Sequence, residues 1–114
     1  MKFLCFSDLH RDVLAARNIV ELSASADLVI GAGDFATQRH GLADTIEILA
    51  AIDQPSVLVP GNGESEQELQ NAVSAVGWKD AHVLHGSGCH VLGVDFWGVG
   101  GGIPVTPFGD WSYD

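Results

Sequence analysis

The feature that most constrains this chain is a repeated change of period. Short apolar runs at Lys2 to Ser7, Leu28 to Ala32 and Val57 to Val59 are separated by longer stretches, Arg11 to Ala24 and Leu42 to Ile52. In those longer stretches the apolar residues recur at helical spacing: Ala16, Ile19 and Val20 in one, Leu42, Ile46 and Leu49 in the other. Antiparallel neighbours need only a tight turn, whereas parallel strands need a crossover of a dozen or more residues, usually helical. The pattern therefore predicts an α/β fold that opens with a βαβαβα parallel unit. The third helix is expected from Ser65, with Glu66 and Glu68 in its first turn, where negative charge suits the dipole, and Gly77 as its stop.

After Gly77 the texture changes. His82-Val83-Leu84, His90-Val91-Leu92 and Val94 to Gly98 are short β-like runs divided by Gly86-Ser87-Gly88 and Gly93, which predicts an antiparallel β meander. Residues 100–114 are glycine-rich and then aromatic, and are expected to be loop. A length of 114 residues, 46% of them hydrophobic, suits one domain spanning 1–114. Cys5, inside the first run, is expected to pack as a small hydrophobe. Trp97, Phe108 and Trp111 are expected in the core or on a covered face, with Phe108 or Trp111 alternatively flanking a substrate base.

Fifteen acidic residues against five basic ones give a formal charge of -10, which repels phosphate backbones and anionic lipid. Membrane and bare nucleic-acid partners are disfavoured on that ground, and a cation binder is not. Two cysteines are too few for a disulfide framework. The residues before Asp8 are too few for a signal-peptide core, and no later run approaches the ~20 apolar residues of a membrane span. The expectation is a soluble, unprocessed, cytoplasmic protein.

Each of the three strands ends in a polar cluster: Asp8-Leu9-His10, then Gly33-Asp34, then Gly61-Asn62-Gly63-Glu64. In an open parallel sheet the carboxyl ends of the strands share one edge, where ligands bind. Carboxylate oxygens, an imidazole nitrogen and an amide carbonyl together suit Mn, Fe or Zn, and Mg less well. Taken singly, Asp8 also fits a cap on the helix near Arg11, Asp34 a turn residue and Asn62 a left-handed turn. Glu64 reads as a first-turn helix acid or as a partner of a ligand rather than a ligand. Arg11, Arg39 and His40 are possible phosphate contacts, and each also fits a solvated surface residue; His82, His85 and His90 read as ordinary strand or loop residues.

The ordered blocks "DLH" at 8 to 10, "GDFA" at 33 to 36 and "GNGE" at 61 to 64 resemble those of the calcineurin-like metallophosphoesterases. That family continues with a downstream histidine and a final G-H-x-H. The resemblance implies that Asp8 and His10 bind a first metal, Asp34 bridges two metals and Asn62 binds the second. It implies hydrolysis of a small phosphoester, mono- or diester, by a metal-bridging hydroxide rather than a side-chain nucleophile, with two divalent ions as cofactors. Many members carry His where this chain has Gly63, and no G-H-x-H block follows Glu64. The resemblance thus covers the N-terminal half of the family's sandwich, including the glycine-rich stretch at 98 to 108, and implies a domain incomplete at its C-terminus. A sheet face left bare in this way predicts self-association. The alternative expectation is a non-catalytic metal- or protein-binding module, or an inactive partial domain, on the same fold.

Overall fold

Three crossovers of one kind, strand to helix to parallel strand, lay four strands side by side in chain order. A computed structural model describes residues 1–102, so Phe108, Trp111 and the end of the 98–108 stretch lie outside the described residues. The elements are β1 (Phe3–Phe6), α1 (Val13–Ser23), β2 (Leu28–Gly31), α2 (Leu42–Leu49), β3 (Ser56–Leu58), α3 (Glu66–Val76), β4 (Ala81–Val83), β5 (Ser87–Val91) and β6 (Val94–Gly98). The sheet order is β1-β2-β3-β4, all parallel, in registers such as Phe6 with Gly31 and Gly31 with Leu58. Right-handed crossovers that each advance one strand in the same direction place every helix on one face. Accordingly α1 packs on α2, and α2 on α3.

Between sheet and helices lies the larger core, with Val29, Phe35, Ile46, Leu49, Leu58 and Leu69 fully buried. The opposite face carries Leu28, Val57 and Leu84, and the β5–β6 hairpin folds over it with Val91, Cys89 and Phe96. Leu92 and Gly93 join the hairpin with φ of 51° and 78°, the two positive values that a type I′ turn requires.

Three expectations change. The run at 82–84 is not part of a meander: it supplies β4, paired parallel to β3, because α3 is a crossover and returns the chain in the same direction. The antiparallel part is the β5–β6 pair. Cys5 is exposed rather than packed, since β1 is the outer strand of the sheet. Trp97 is 71% exposed, because alternation along β6 turns Phe96 toward the sheet and Trp97 away from it.

The helix ends follow local chemistry. Asp12, not Asp8, caps α1, its carboxylate accepting from the Ala15 amide at 3.1 Å. Ser65 and Glu68 form a reciprocal capping box on α3, and Gly77 closes that helix in the left-handed conformation. Among the described residues no helix is long and apolar enough to cross a membrane.

Candidate functional site

The polar clusters that follow β1, β2 and β3 meet at one sheet edge. Beyond the strands, the β1–β2 pairing continues as a backbone ladder: the amides of Asp8, His10 and Arg11 donate to the carbonyls of Gly33, Asp34 and Phe35 at 3.1, 2.8 and 2.8 Å. Asp8, His10, Arg11 and Asp34 have φ of 60°, 45°, 55° and 59°, a region unfavourable for residues with a Cβ by about 1–3 kcal/mol each. Such a run persists because the ladder and the buried Phe35 ring, packed edge-on to Phe6 at 5.9 Å, hold it. Its effect is to turn polar side chains inward on one another.

His10 Nε2 lies 3.4 Å from Asp8 Oδ1 and 4.0 Å from Asp34 Oδ2. One donor atom from each of the three residues falls within 4.8 Å of the other two. His10 Nδ1 sits 3.2 Å from the Ala36 carbonyl, a contact that places the proton of a neutral ring on Nδ1. The lone pair of Nε2 then faces two carboxylates with no proton between them. That donor chemistry fits a divalent cation, and the outer hydrogen bond is of the kind that orients metal-binding imidazoles. The Ser7 hydroxyl above all, with Asp34 and His10, holds the Asp8 carboxyl below its usual range, although desolvation pushes the other way.

Asp34 Oδ1 accepts from the Gly63 amide at 3.0 Å. A Cβ on Gly61 would overlap that same carboxylate oxygen, and one on Gly63 would overlap the Ala36 carbonyl. Glycine at both positions is what lets the β3 loop close on Asp34. The family's frequent His at position 63 therefore has no room in this backbone.

Glu64 ties the clusters together from beneath. Fully buried, its Oε2 accepts from the amides of Asp34 at 2.9 Å and Gly61 at 2.7 Å, and its Oε1 from Ala36 at 2.9 Å. Burial pushes this carboxyl above its ordinary value; the amides of Ala36, Gly61 and Asp34 pull it down, and the Asp34 charge adds a push upward. Glu64 precedes the Ser65 cap and so is not a first-turn acid of α3, and its contacts are with the backbone of the loops that carry Asp34 and Asn62. The signal was obscured by the acidic run at 64, 66 and 68, which reads equally as helix-start charge.

Asn62 lies half-buried between these glycines and does not take the left-handed conformation. Arg39 is engaged elsewhere: its Nε donates to Glu68 at 2.8 Å and its amide to the Gly63 carbonyl at 2.7 Å. The stem of Arg11 lies over Gly41, and Arg11 has no ion pair among the described residues. His40 is exposed and exchanges backbone bonds with Thr37; no ring bond joins it to Asp8, His10 or Asp34. The Asp8, His10 and Asp34 side chains are 62%, 45% and 20% exposed, so the site is an open shelf at the sheet edge.

Residues 1–96 match the calcineurin-like phosphoesterase superfamily domain. Among solved structures, the chain is similar to the protein TT1561 of Thermus thermophilus, with TM-score 0.82 and 21% identity over 97% of this chain and 55% of that one. It is also similar to a structurally and functionally characterised archaeal phosphodiesterase, with TM-score 0.65 and 17% identity over 83% of this chain and 56% of that one. The chain thus spans about half the length of the structures it matches. No curated protein matches it.

Proposed function

Since the chain belongs to the calcineurin-like phosphoesterase superfamily, we propose that it hydrolyses a small phosphoester with divalent metal ions held at the sheet edge. The observation that carries this reading is the mutual approach of Asp8, His10 and Asp34, whose donor atoms lie within 4.8 Å of one another. In this reading Asp8 and His10 hold one ion, Asp34 is shared, and Asn62 serves a second. Bound there, the ions would neutralise the phosphate charge and raise the acidity of water at the site. Nitrogen and oxygen donors together favour Mn, Fe or Zn over Mg.

The protein side of the chemistry is positional. Glu64 and the 8–11 ladder keep the donors in place before any ligand arrives, which lowers the cost of ordering them on binding. Arg11 is the cation we assign to the phosphate, because Arg39 would first have to leave Glu68. His40 is assigned an outer phosphate contact on the same loop. Gly63 supplies no imidazole for a leaving group, and one structural neighbour is a phosphodiesterase; both favour a diester. We place the protein in the cytoplasm, in keeping with two free thiols, Cys5 and Cys89. A charge of -10 disfavours nucleic-acid or membrane partners.

The test is turnover of bis(p-nitrophenyl) phosphate with added Mn²⁺. Asp8→Ala and Asp34→Asn should each lower it by about 100-fold or more. Undiminished turnover in Asp34→Asn sinks the assignment. One observation favours a second reading, a metal-binding module without catalysis: the Ala36 carbonyl fills the space of any side chain at Gly63. Mn²⁺ binding by calorimetry without turnover of either mono- or diester would select it.

A further inference from the structure

The glycine-rich segment 98–102 and His85 take no part in the function proposed above. Both lie at the same sheet edge. Extending the registers by two residues puts Asp8, Gly33, Pro60 and His85 level with one another, so His85 stands where β4 leaves the sheet. The segment that follows β6 crosses this edge in close contact with it. A Cβ on Gly98 would meet Leu84 and Val59, and one on Gly100 would overlap the Pro60 carbonyl. Gly101 donates its amide to that carbonyl at 2.8 Å. At the end of the crossing, a Cβ on Gly102 would lie 3.0 Å from Asn62 Cβ, 3.6 Å from its Cγ and 3.7 Å from its Nδ2.

Among the described residues the Gly86 amide anchors the start of this strip, donating to the Gly98 carbonyl at 2.7 Å, and two bonds fix its course beyond that. One is the Gly101 amide to Pro60; the other is the Gly100 amide donating to His85 Nδ1 at 3.0 Å. An amide donor at Nδ1 requires the Nε2–H tautomer of a neutral ring. His85 is half-buried and so is Asn62, so neither is free to drift. Asn62 is the site residue outside the Asp8, His10 and Asp34 cluster, and Gly102 passes beside it closely enough that an added Cβ would come within 3.0 to 3.7 Å of its side chain.

We propose that His85 is a positioning residue: by holding the Gly98–Gly102 strip against Pro60 it sets where the Asn62 amide points. The strip is the far wall of the site. Gly98 passes against the Leu84 and Val59 side chains, Gly100 against the Pro60 backbone and Gly102 beside Asn62, and a side chain at any of the three would push the wall outward. The inference rests on the reading of Asn62 as a site residue, but its consequence is visible in the protein without metal.

The test is the side-chain amide resonance of Asn62 in ¹H–¹⁵N spectra of the metal-free full chain, assigned by its loss in Asn62→Asp. His85→Leu removes the acceptor and should shift and broaden that resonance, while the ring signals of His10 stay in place. His85→Asn, which keeps an acceptor oxygen near the Nδ1 position, should restore it. Gly102→Ala, at a backbone conformation open to alanine, should move the Asn62 signal with His85 intact. If Asn62 is unmoved in Gly102→Ala and in a folded His85→Leu, the proposal is overturned; should His85→Leu fail to fold, Gly102→Ala decides. Failure of the metal reading shows separately, as His10 ring signals of the wild-type chain that do not respond to Zn²⁺.

Discussion

At the scale of single residues, Glu64 carries more of the site than any of the groups that would touch a ligand. It satisfies three backbone amides that would otherwise be buried without acceptors, two on the β2 loop and one on the β3 loop. Glu64→Gln keeps the shape and removes one acceptor oxygen, turning an amide NH₂ toward backbone donors. The expected loss is about 2–4 kcal/mol, from a buried unsatisfied donor and a lost charge-assisted bond. Urea unfolding of the metal-free protein measures it, and an unchanged midpoint would show that the amides find other partners. Trp78 presents the reverse situation: its Nε1 is buried without an acceptor among the described residues. Trp78→Phe removes that orphan donor along with some packing, and the two effects should leave stability within about 1–2 kcal/mol of wild type.

At the scale of elements, α3 matters because its N-terminus follows directly on the β3 loop that closes on Asp34. The capping box links Ser65 and Glu68, and Glu68 also accepts from Arg39, which in turn holds the Gly63 carbonyl. Ser65→Ala should cost about 1 kcal/mol. Desolvation pushes the Glu68 carboxyl up, but the Ser65 amide, the Arg39 guanidinium and the Ser65 hydroxyl together bring it below its ordinary 4.5. A lowered folded value means that the group's stabilisation is present above pH 4.5 and is lost as pH falls through the folded value. Wild type should therefore lose its margin over Glu68→Gln on acidification from about pH 7 to about pH 3. A margin that stays constant over that range contradicts the assignment. The effect is modest, because both partners are partly exposed.

At the scale of the whole molecule, the helix layer closes one face of the sheet, while among the described residues the other face carries the two-stranded β5–β6 cover. Phe3 is 40% exposed, Trp97 is 71% exposed, and Cys5 is exposed on the outer strand. Apolar surface of this kind favours association, and a charge of -10 opposes it. Salt screens the repulsion and leaves the apolar attraction, so sedimentation velocity should report a mass above 12.0 kDa that rises with ionic strength. Trp97→Ser should reduce it. A folded monomer at both low and high salt would remove self-association from consideration.

Much of this was decided locally, by chemistry that a sequence carries in itself. The change between strand and helix periods set the parallel unit, and Ser65, Glu68 and Gly77 set the ends of α3, because caps and periods depend on neighbours a few residues away. The ligand-type residues were legible for the same reason: Asp8, His10, Asp34 and Asn62 each stand just past an apolar run. Only the tertiary structure decided the direction of β4, which depends on where a crossover returns, and the exposure of Cys5 and Trp97, which depends on which strand ends up at an edge. The same holds for Glu64, whose burial depends on the loop after β2, 28 to 30 residues upstream, closing over it. In the sequence His85 is one of five histidines with nothing to set it apart; it becomes a clamp when a strip from 15 residues further along lays an amide against its ring.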